Sequence, residues 1–246
     1  MNETTRILQS HRSERSYKPD PISDDILDDI IRSAYLAPTS ANTQQVSIVV
    51  VRDSTRRKRI AELAGMQVWI AKAPVFLALV ADLHKTRVGL EKVGVEQLAQ
   101  KSVEALISAS LDAGIALGTL IAAAHSYGLG IVPIGGIRKN PQGVIDVLGL
   151  PHETFPIVGL TMGYVDQPAV QKPRLPIESF RFEEQYDASK LRPAIDAYDQ
   201  TIMEYWKSID RPNGLPWSQN TAGFYDKVYY PAVKPVAAAQ GFTCEE

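Results

Sequence analysis

ALISASLDAGIALGTLIAAAHSYGLGIVPIGGI, residues 105–137, is the stretch on which the fold turns. Only Asp112 and His125 in it ionise near neutral pH. A membrane-spanning helix needs about 20 predominantly apolar residues, so the stretch has to be weighed as one. Asp112 falls inside the most apolar window, and a charge at the bilayer centre costs about 2.5–3.5 kcal/mol. Ser126, Gly128, Gly130 and Pro133 break the second half. The stretch therefore reads as a buried helix running into a buried strand. The helix is expected from roughly Val95 to Tyr127, stopped by Gly128, and the strand from Ile131 to Ile134.

Upstream, VSIVVV (46–51) and VFLALVA (75–81) are apolar runs of the kind found in strands buried on both faces. Ser23 caps a helix whose first turn carries Asp24 and Asp25, with Ile26, Leu27, Ile30, Ile31 and Ala34 on one side. A short helix is expected over Thr4–Gln9, and another from Asp53 or Ser54 to Ala64. Downstream, Asn140-Pro141 is an N-cap followed by proline at the first helical position, and Gly149 ends that helix. Phe155–Tyr164 is a further strand. Beyond Asp166 the chain becomes Pro-rich and charged. A helix is expected from Pro193 to Ile209, and an interrupted one over Ser218–Gln240, broken by Pro231 and Pro235. About four strands among many helices make an α+β fold, with a mixed sheet. No repeat or linker divides the chain. It reads as one domain, 1–246, with 167–246 as an excursion that wraps a core.

The 246 residues are 45% hydrophobic and 22% charged, an ordinary globular mix. The 26 basic and 28 acidic residues give a net charge of −2, against a nucleic-acid binder. The single cysteine, Cys244, excludes an intrachain disulfide and any multi-cysteine metal site. A reducing, cytoplasmic setting is expected, with no secretory signal in Met1–Arg15. The four histidines lie far apart, no local metal motif is present, and no metal is expected. Neither a P-loop nor a dinucleotide fingerprint occurs.

Five segments carry ligand chemistry. His11-Arg12-Ser13-Glu14-Arg15 offers two guanidinium forks that suit a phosphate or a polarised carbonyl; the competing reading is a solvated basic turn answered by Asp20, Asp24 and Asp25. Pro38-Thr39-Ser40-Ala41-Asn42-Thr43-Gln44-Gln45 strings hydroxyls and amides together ahead of a buried strand, or is a loop bonded to itself. Gln67, after Gly65, offers an amide to a heterocycle edge, while Trp69 suits core packing. Ile131–Gly136 ends a strand in two glycines, which permit close backbone approach by a ligand or are a plain strand exit. In Lys172-Pro173-Arg174, proline holds two cations apart, for a phosphate or for solvent. Together they fit one ligand with a phosphate, a polyol and a polar ring, as in FMN.

At these residues the sequence resembles the FMN-dependent nitroreductase superfamily, most closely its oxygen-insensitive NAD(P)H nitroreductase and flavin oxidoreductase branch. The matching motifs are His11-Arg12-Ser13-x-Arg15, Pro38-Thr39-Ser40-Ala41-Asn42-x-Gln44, Gly65-x-Gln67, Pro133-Ile134-Gly135-Gly136 and Lys172-Pro173-Arg174, in that order. The resemblance implies a mostly antiparallel sheet flanked by helices and an interlocked homodimer with exchanged C-terminal arms, its sites at the interface. The apolar face of 103–124 suits such an interface. It also implies bound FMN. Arg12, Arg15, Lys172 and Arg174 would hold its phosphate and polar ring edge. His11, Ser13, Thr39, Gln44 and Gln67 would meet the ribityl chain or ring. The backbone of Pro133–Gly136, chiefly Ile134, Gly135 and Gly136, would approach the ring.

The implied reaction is two-electron, ping-pong hydride transfer from NADPH or NADH to a nitroaromatic, quinone or flavin. No side chain acts as nucleophile, and Arg15 would stabilise the reduced ring electrostatically. Alternatives are an FMN reductase that supplies free reduced flavin, a non-catalytic flavin-binding redox sensor, and an enzyme that consumes its own flavin. The sequence departs from NADPH-specific members in the loop after the late helix. There only Lys207 and Arg211 are basic, and Asp210 opposes a 2′-phosphate.

Overall fold

Four strands make one sheet in the computed structural model, which describes residues 1–245. They are β1 (Val46–Val51), β2 (Val75–Asp82), β3 (Gly130–Ile134) and β4 (Thr154–Gly163), in the order β1-β2-β4-β3. All three pairings are antiparallel, so the sheet is not mixed. Pro133 is tolerated because β3 lies at an edge. In the central strand β4 the register slips opposite Leu79 and Val80, leaving Ile157 unpaired, and Arg138 donates to its carbonyl.

Contacts divide the chain into two compact units, Met1–Ala169 with the stretch from Tyr230 onward, and Val170–Tyr229. In the first, helices cover both faces of the sheet. On one face α2 (Asp24–Tyr35) and α6 (Val103–Ser126) pack Leu27, Ile30, Ala113 and Leu120 against Leu77, Leu79, Ile131 and Leu160. On the other, α3 (Ser54–Leu63), α4 (Val68–Lys72) and α7 (Pro141–Leu148) pack Ile60, Leu63, Ile70 and Val144 against Phe76, Ala78 and Val132. A third cluster joins Ala81 and Phe155 to Ala105, Ala109, Ala237 and Phe242, the last two from the C-terminal stretch with α10 (Val233–Ala239). Pro235 falls in the first turn of α10, where its missing N–H costs nothing. The first unit also holds α1 (Glu3–Gln9) and α5 (Leu83–Glu91).

The caps form as expected. Ser23, Asp53 and Asn140 accept from the N–H groups of Ile26, Arg56 and Gly143, and Gly149 ends α7 in the left-handed conformation. Three expectations are corrected. β1 contributes side chains to both layers, but it is an edge strand and only half-buried, with Val50 40% exposed. A β-branched run does not distinguish an edge from a centre. α6 starts at Val103, where Ser102 caps it, and not near Val95. The residues before it hold α5 and a left-handed Gly94 that ends the preceding turn. α4, too, forms where a loop was expected.

The second unit is built on α8 (Leu191–Ser208) and α9 (Trp217–Tyr225). Pro193 sits in the first turn of α8. The interrupted C-terminal helix is two helices, α9 and α10, with Pro231 between them.

Candidate functional site

The 11–15 segment is held against the start of β3. Ser13 bridges Ile131 in parallel, and the Glu14 N–H donates to the Ile131 carbonyl at 2.9 Å. Glu14 is buried, its carboxylate accepting from the Ala169 N–H at 2.8 Å. The contact requires glycine at 130: a Cβ there would lie 2.3 Å from Val165 Cγ2 and 2.9 Å from Glu14 Cβ. Tyr17 completes the anchor. Its hydroxyl donates to the Glu14 carbonyl at 2.6 Å and lies 2.7 Å from Thr161 Oγ1. Burial raises its pKa well above the ordinary tyrosine range.

This anchoring leaves Arg12 and Arg15 exposed. Neither forms an ion pair among the described residues, and Asp24, one of the acids that would have answered them, pairs with Arg52. Arg15 Cζ stands 5.3 Å from the centroid of the Trp69 ring, and Nη1 donates to the Ser13 carbonyl at 3.2 Å. Trp69 follows Gln67, whose Nε2 donates to the Ala64 carbonyl at 2.9 Å, leaving Oε1 as an acceptor. Gly136 packs on this turn. A Cβ at Gly136 would lie 2.2 Å from Gln67 Nε2 and 2.5 Å from the Ala64 oxygen. Gly136 is thus required for internal packing, a different reason from ligand approach. Trp69 Nε1 is buried and has no acceptor among the described residues. Contacts thus link Ser13, Arg15 and Trp69, while Gln67, two residues before Trp69, packs on Gly136, which follows Ile134 and Gly135 at the end of β3; Pro133 lies in the strand itself.

Two other members of the motif lie to one side. Arg12 lines a cavity of about 190 Å³ with Ser10, Glu14, His125, Gly130 and Val165. His11 Nδ1 is 3.3 Å from His125 Nε2, and their rings meet edge to face. Burial lowers the His125 pKa, and the charge of His11 adds to the effect.

Thr39 and Gln44 occupy a separate loop. They line a cavity of about 220 Å³ with Lys85, Asp112 and apolar groups of α2 and β1. Thr39 Oγ1 accepts from the Gln44 N–H at 3.2 Å. Ala41, Asn42 and Gln44 have φ of 48°, 56° and 52°. Left-handed residues other than glycine cost on the order of 1–3 kcal/mol each and collect at functional sites. Met66, beside Gln67, is another at 62°.

In the second unit, Tyr198 and Tyr205 on α8 donate to the carbonyls of Pro173 and Val170, at 2.7 and 3.3 Å, and lay the 170–174 segment along the helix. Arg174 Nη1 donates to the Lys172 carbonyl at 2.7 Å. Burial raises the Tyr198 pKa, opposed by the charge of Arg174. Lys172 Nζ and Arg211 Cζ lie 4.9 and 5.1 Å from the centroid of the same ring, Trp206. Trp206 Nε1 donates to the Leu215 carbonyl at 3.0 Å, so the 211–215 loop folds around the indole. A cavity of about 550 Å³ there is lined by Lys172, Trp206, Asp210, Arg211, Asn213 and Asn220. Lys207 is exposed and does not line it.

Reading the residues by type missed Trp206, His125 and the anchoring role of Asp112. Only Asp112 carried a signal, as the lone carboxylate in an apolar stretch. The donor set suits a phosphorylated, ring-bearing anion. It offers guanidiniums without ion pairs among the described residues, an amide acceptor and strand-end backbone.

Comparison with known proteins agrees. The chain is 42% identical over 251 residues to FMN reductase [NAD(P)H] of Bacillus subtilis, covering 100% of both. The structure of B. megaterium NfrA2 superposes with a TM-score of 0.97 at 40% identity, again over 100% of both chains. The NADPH:FMN oxidoreductase from Vibrio harveyi complexed with NAD+ gives 0.87 at 32% identity, over 98% of each chain. Residues 8–164 match the nitroreductase family and residues 172–245 match the nitroreductase family, C-terminal domain, so the chain belongs to the nitroreductase family.

Proposed function

We propose that this protein is an FMN-dependent NAD(P)H oxidoreductase that reduces flavins, quinones or nitroaromatics. The observation that carries the proposal is Arg15, without an ion pair among the described residues, over Trp69, which lies two residues from the Gln67 that packs on Gly136. The relatives named for FMN reduction with NAD(P)H support it. Bound FMN supplies the hydride-transfer chemistry, accepting from NAD(P)H and delivering two electrons to the acceptor. The chain's part is to hold and orient. Arg15 offers a guanidinium to the polar ring edge, where negative charge develops on reduction. Gln67 Oε1 would accept from a ring N–H, and the 134–136 backbone would lie against the ring. His11, Arg12 and Ser13 serve the ribityl phosphate side, with Lys172 and Arg174 as further phosphate ligands. Arg211 and, more weakly, Lys207 meet the nicotinamide nucleotide. Asp210 lines the same cavity as Arg211 and opposes a 2′-phosphate, so NADH is accepted as well as NADPH.

The working assembly in this reading is a cytoplasmic homodimer. Val103, Ile107 and Leu111, at four-residue spacing on α6, are 42%, 54% and 62% exposed, opposite the buried face. The stripe continues into Gly114 and Gly118, where added Cβ atoms would meet nothing within 4 Å. A second copy covers this face and brings Thr39 and Gln44 to its neighbour's flavin, while the stretch from Tyr230 onward stays in the core of its own copy.

The test is the visible spectrum of the purified protein before and after anaerobic NADH or NADPH. A bound-flavin spectrum that bleaches with either nucleotide is expected. A flavin that neither nucleotide bleaches leaves the redox-sensor reading. No flavin after incubation with FMN ends the proposal. FMN reductases named among the relatives favour a second reading, release of reduced flavin. It is separated by whether flavin stays in the protein fraction after turnover.

A further inference from the structure

We infer that Asp112 and Lys85 are positioning residues that clamp the Pro38–Gln45 loop in its flavin-presenting form. The inference rests on the proposed flavin site. Asp112, in the middle of α6, is 2% exposed, yet no cation pairs with it among the described residues. Its partners are in the loop. The Ser40 N–H donates to both carboxylate oxygens, at 3.1 and 3.2 Å. Gln45 Nε2 donates to one of them at 3.2 Å and to Ser108 Oγ at 2.7 Å. From the other side, Lys85 Nζ donates to the carbonyls of Gln44 and Val46, each at 3.0 Å. The ties thus flank the left-handed residues Ala41, Asn42 and Gln44. Such a conformation persists only where its surroundings over-determine it. A carboxylate held by N–H groups is a strong tie, and a buried one leaves the loop no solvated alternative. Both clamp residues line the 220 Å³ cavity beside Thr39 and Gln44. The apolar surroundings of α6 do not need a carboxylate; the loop does.

The experiment measures FMN dissociation from the holoprotein, by the fluorescence of released flavin on dilution, together with Tm. The variants are Asp112→Asn, Lys85→Met, Thr39→Ala and Arg15→Ala. Asp112→Asn and Lys85→Met are expected to weaken FMN binding about tenfold, the scale of one lost charge-assisted hydrogen bond. Limited proteolysis within 38–45 should accelerate in both. Lys85 is exposed enough for Lys85→Met to fold, so it decides the matter if Asp112→Asn does not fold. Clamp variants that lower Tm but hold FMN as tightly as the parent, while Thr39→Ala weakens it, overturn the inference. If only Arg15→Ala weakens FMN, the loop lies outside the flavin site; the inference falls and the proposed function stands. If Arg15→Ala also leaves FMN binding unchanged, the proposed site itself is wrong.

Discussion

Arg15 decides the reading of the site because its environment lacks what a structural arginine has. Its guanidinium faces an indole and its own backbone, with no carboxylate in ion-pair reach among the described residues. Arg87, by contrast, is spent between Glu91 and Glu153. Replacing Arg15 by Ala should weaken FMN binding roughly ten- to a hundredfold and slow reduction of the flavin. Arg15→Lys should recover only part of either, since an ammonium lacks the planar fork. Equilibrium titration and stopped-flow bleaching with NADH measure the two effects. His125 offers a test by pH. Its pKa is lowered in the folded protein, first by burial and then by the charge of His11, with Glu14 opposing. Below about 6.5 the unfolded chain therefore binds a proton that the folded chain resists, and stability falls as pH falls. His125→Gln should flatten the loss of urea midpoint between about pH 6.5 and pH 5. An equally steep loss in that variant would assign the acid sensitivity elsewhere.

Among the elements, β3 does most to place the site. It is an edge strand, so the 11–15 segment can lie along it, and it ends in the Gly135–Gly136 backbone. Gly130 is the joint between strand and segment. Gly130→Ala would drive a methyl into Val165 and Glu14, and overpacking of this kind costs about 1–3 kcal/mol. We expect a lower Tm and, because the displaced segment carries Arg15, a preparation depleted of flavin. A lower Tm with full flavin content would separate the joint from the site. Helix caps were legible residue by residue, since Ser23, Asp53 and Asn140 act within three positions of themselves. The start of α6 was not. Val95 and Leu98 extend the apolar pattern, and the end of that pattern is set by Ser102 and the turn at Gly94.

For the whole molecule, the unresolved demand of the fold is the outer face of α6. A helix apolar on all sides is stable in water only when all sides are covered. One copy covers the face bearing Ala109, Ala113 and Leu120 and leaves Ile107 and Leu111 open. On the proposed homodimer, Leu111→Glu should weaken the association of two copies by about 30-fold or more, as loss of a central apolar anchor does. Sedimentation at graded concentration reads that change, and an unchanged dimer in the variant would place the interface elsewhere. On the proposed assembly, flavin content should fall with the dimer, because no partner would then bring Thr39 and Gln44 to the flavin.

What the sequence by itself determined is what acts over short distances. Apolar runs marked four strands without showing which lay at an edge, caps marked several helix starts, and guanidiniums, amides and glycines in order declared a ligand with phosphate, polyol and ring. Tertiary structure decided the rest. Whether Arg12 and Arg15 have carboxylate partners depends on where Asp24 goes, and it goes to Arg52. Whether Asp112 is a stray charge or a clamp depends on Ser40, 72 residues away. That β1 is an edge, that Gly136 is glycine for the sake of Gln67, and that Lys172 and Arg211 share Trp206 are likewise facts of contact. Residue type sets what a side chain can bond to, but only the folded chain sets which partners come within reach, and therefore which donors are left for a ligand.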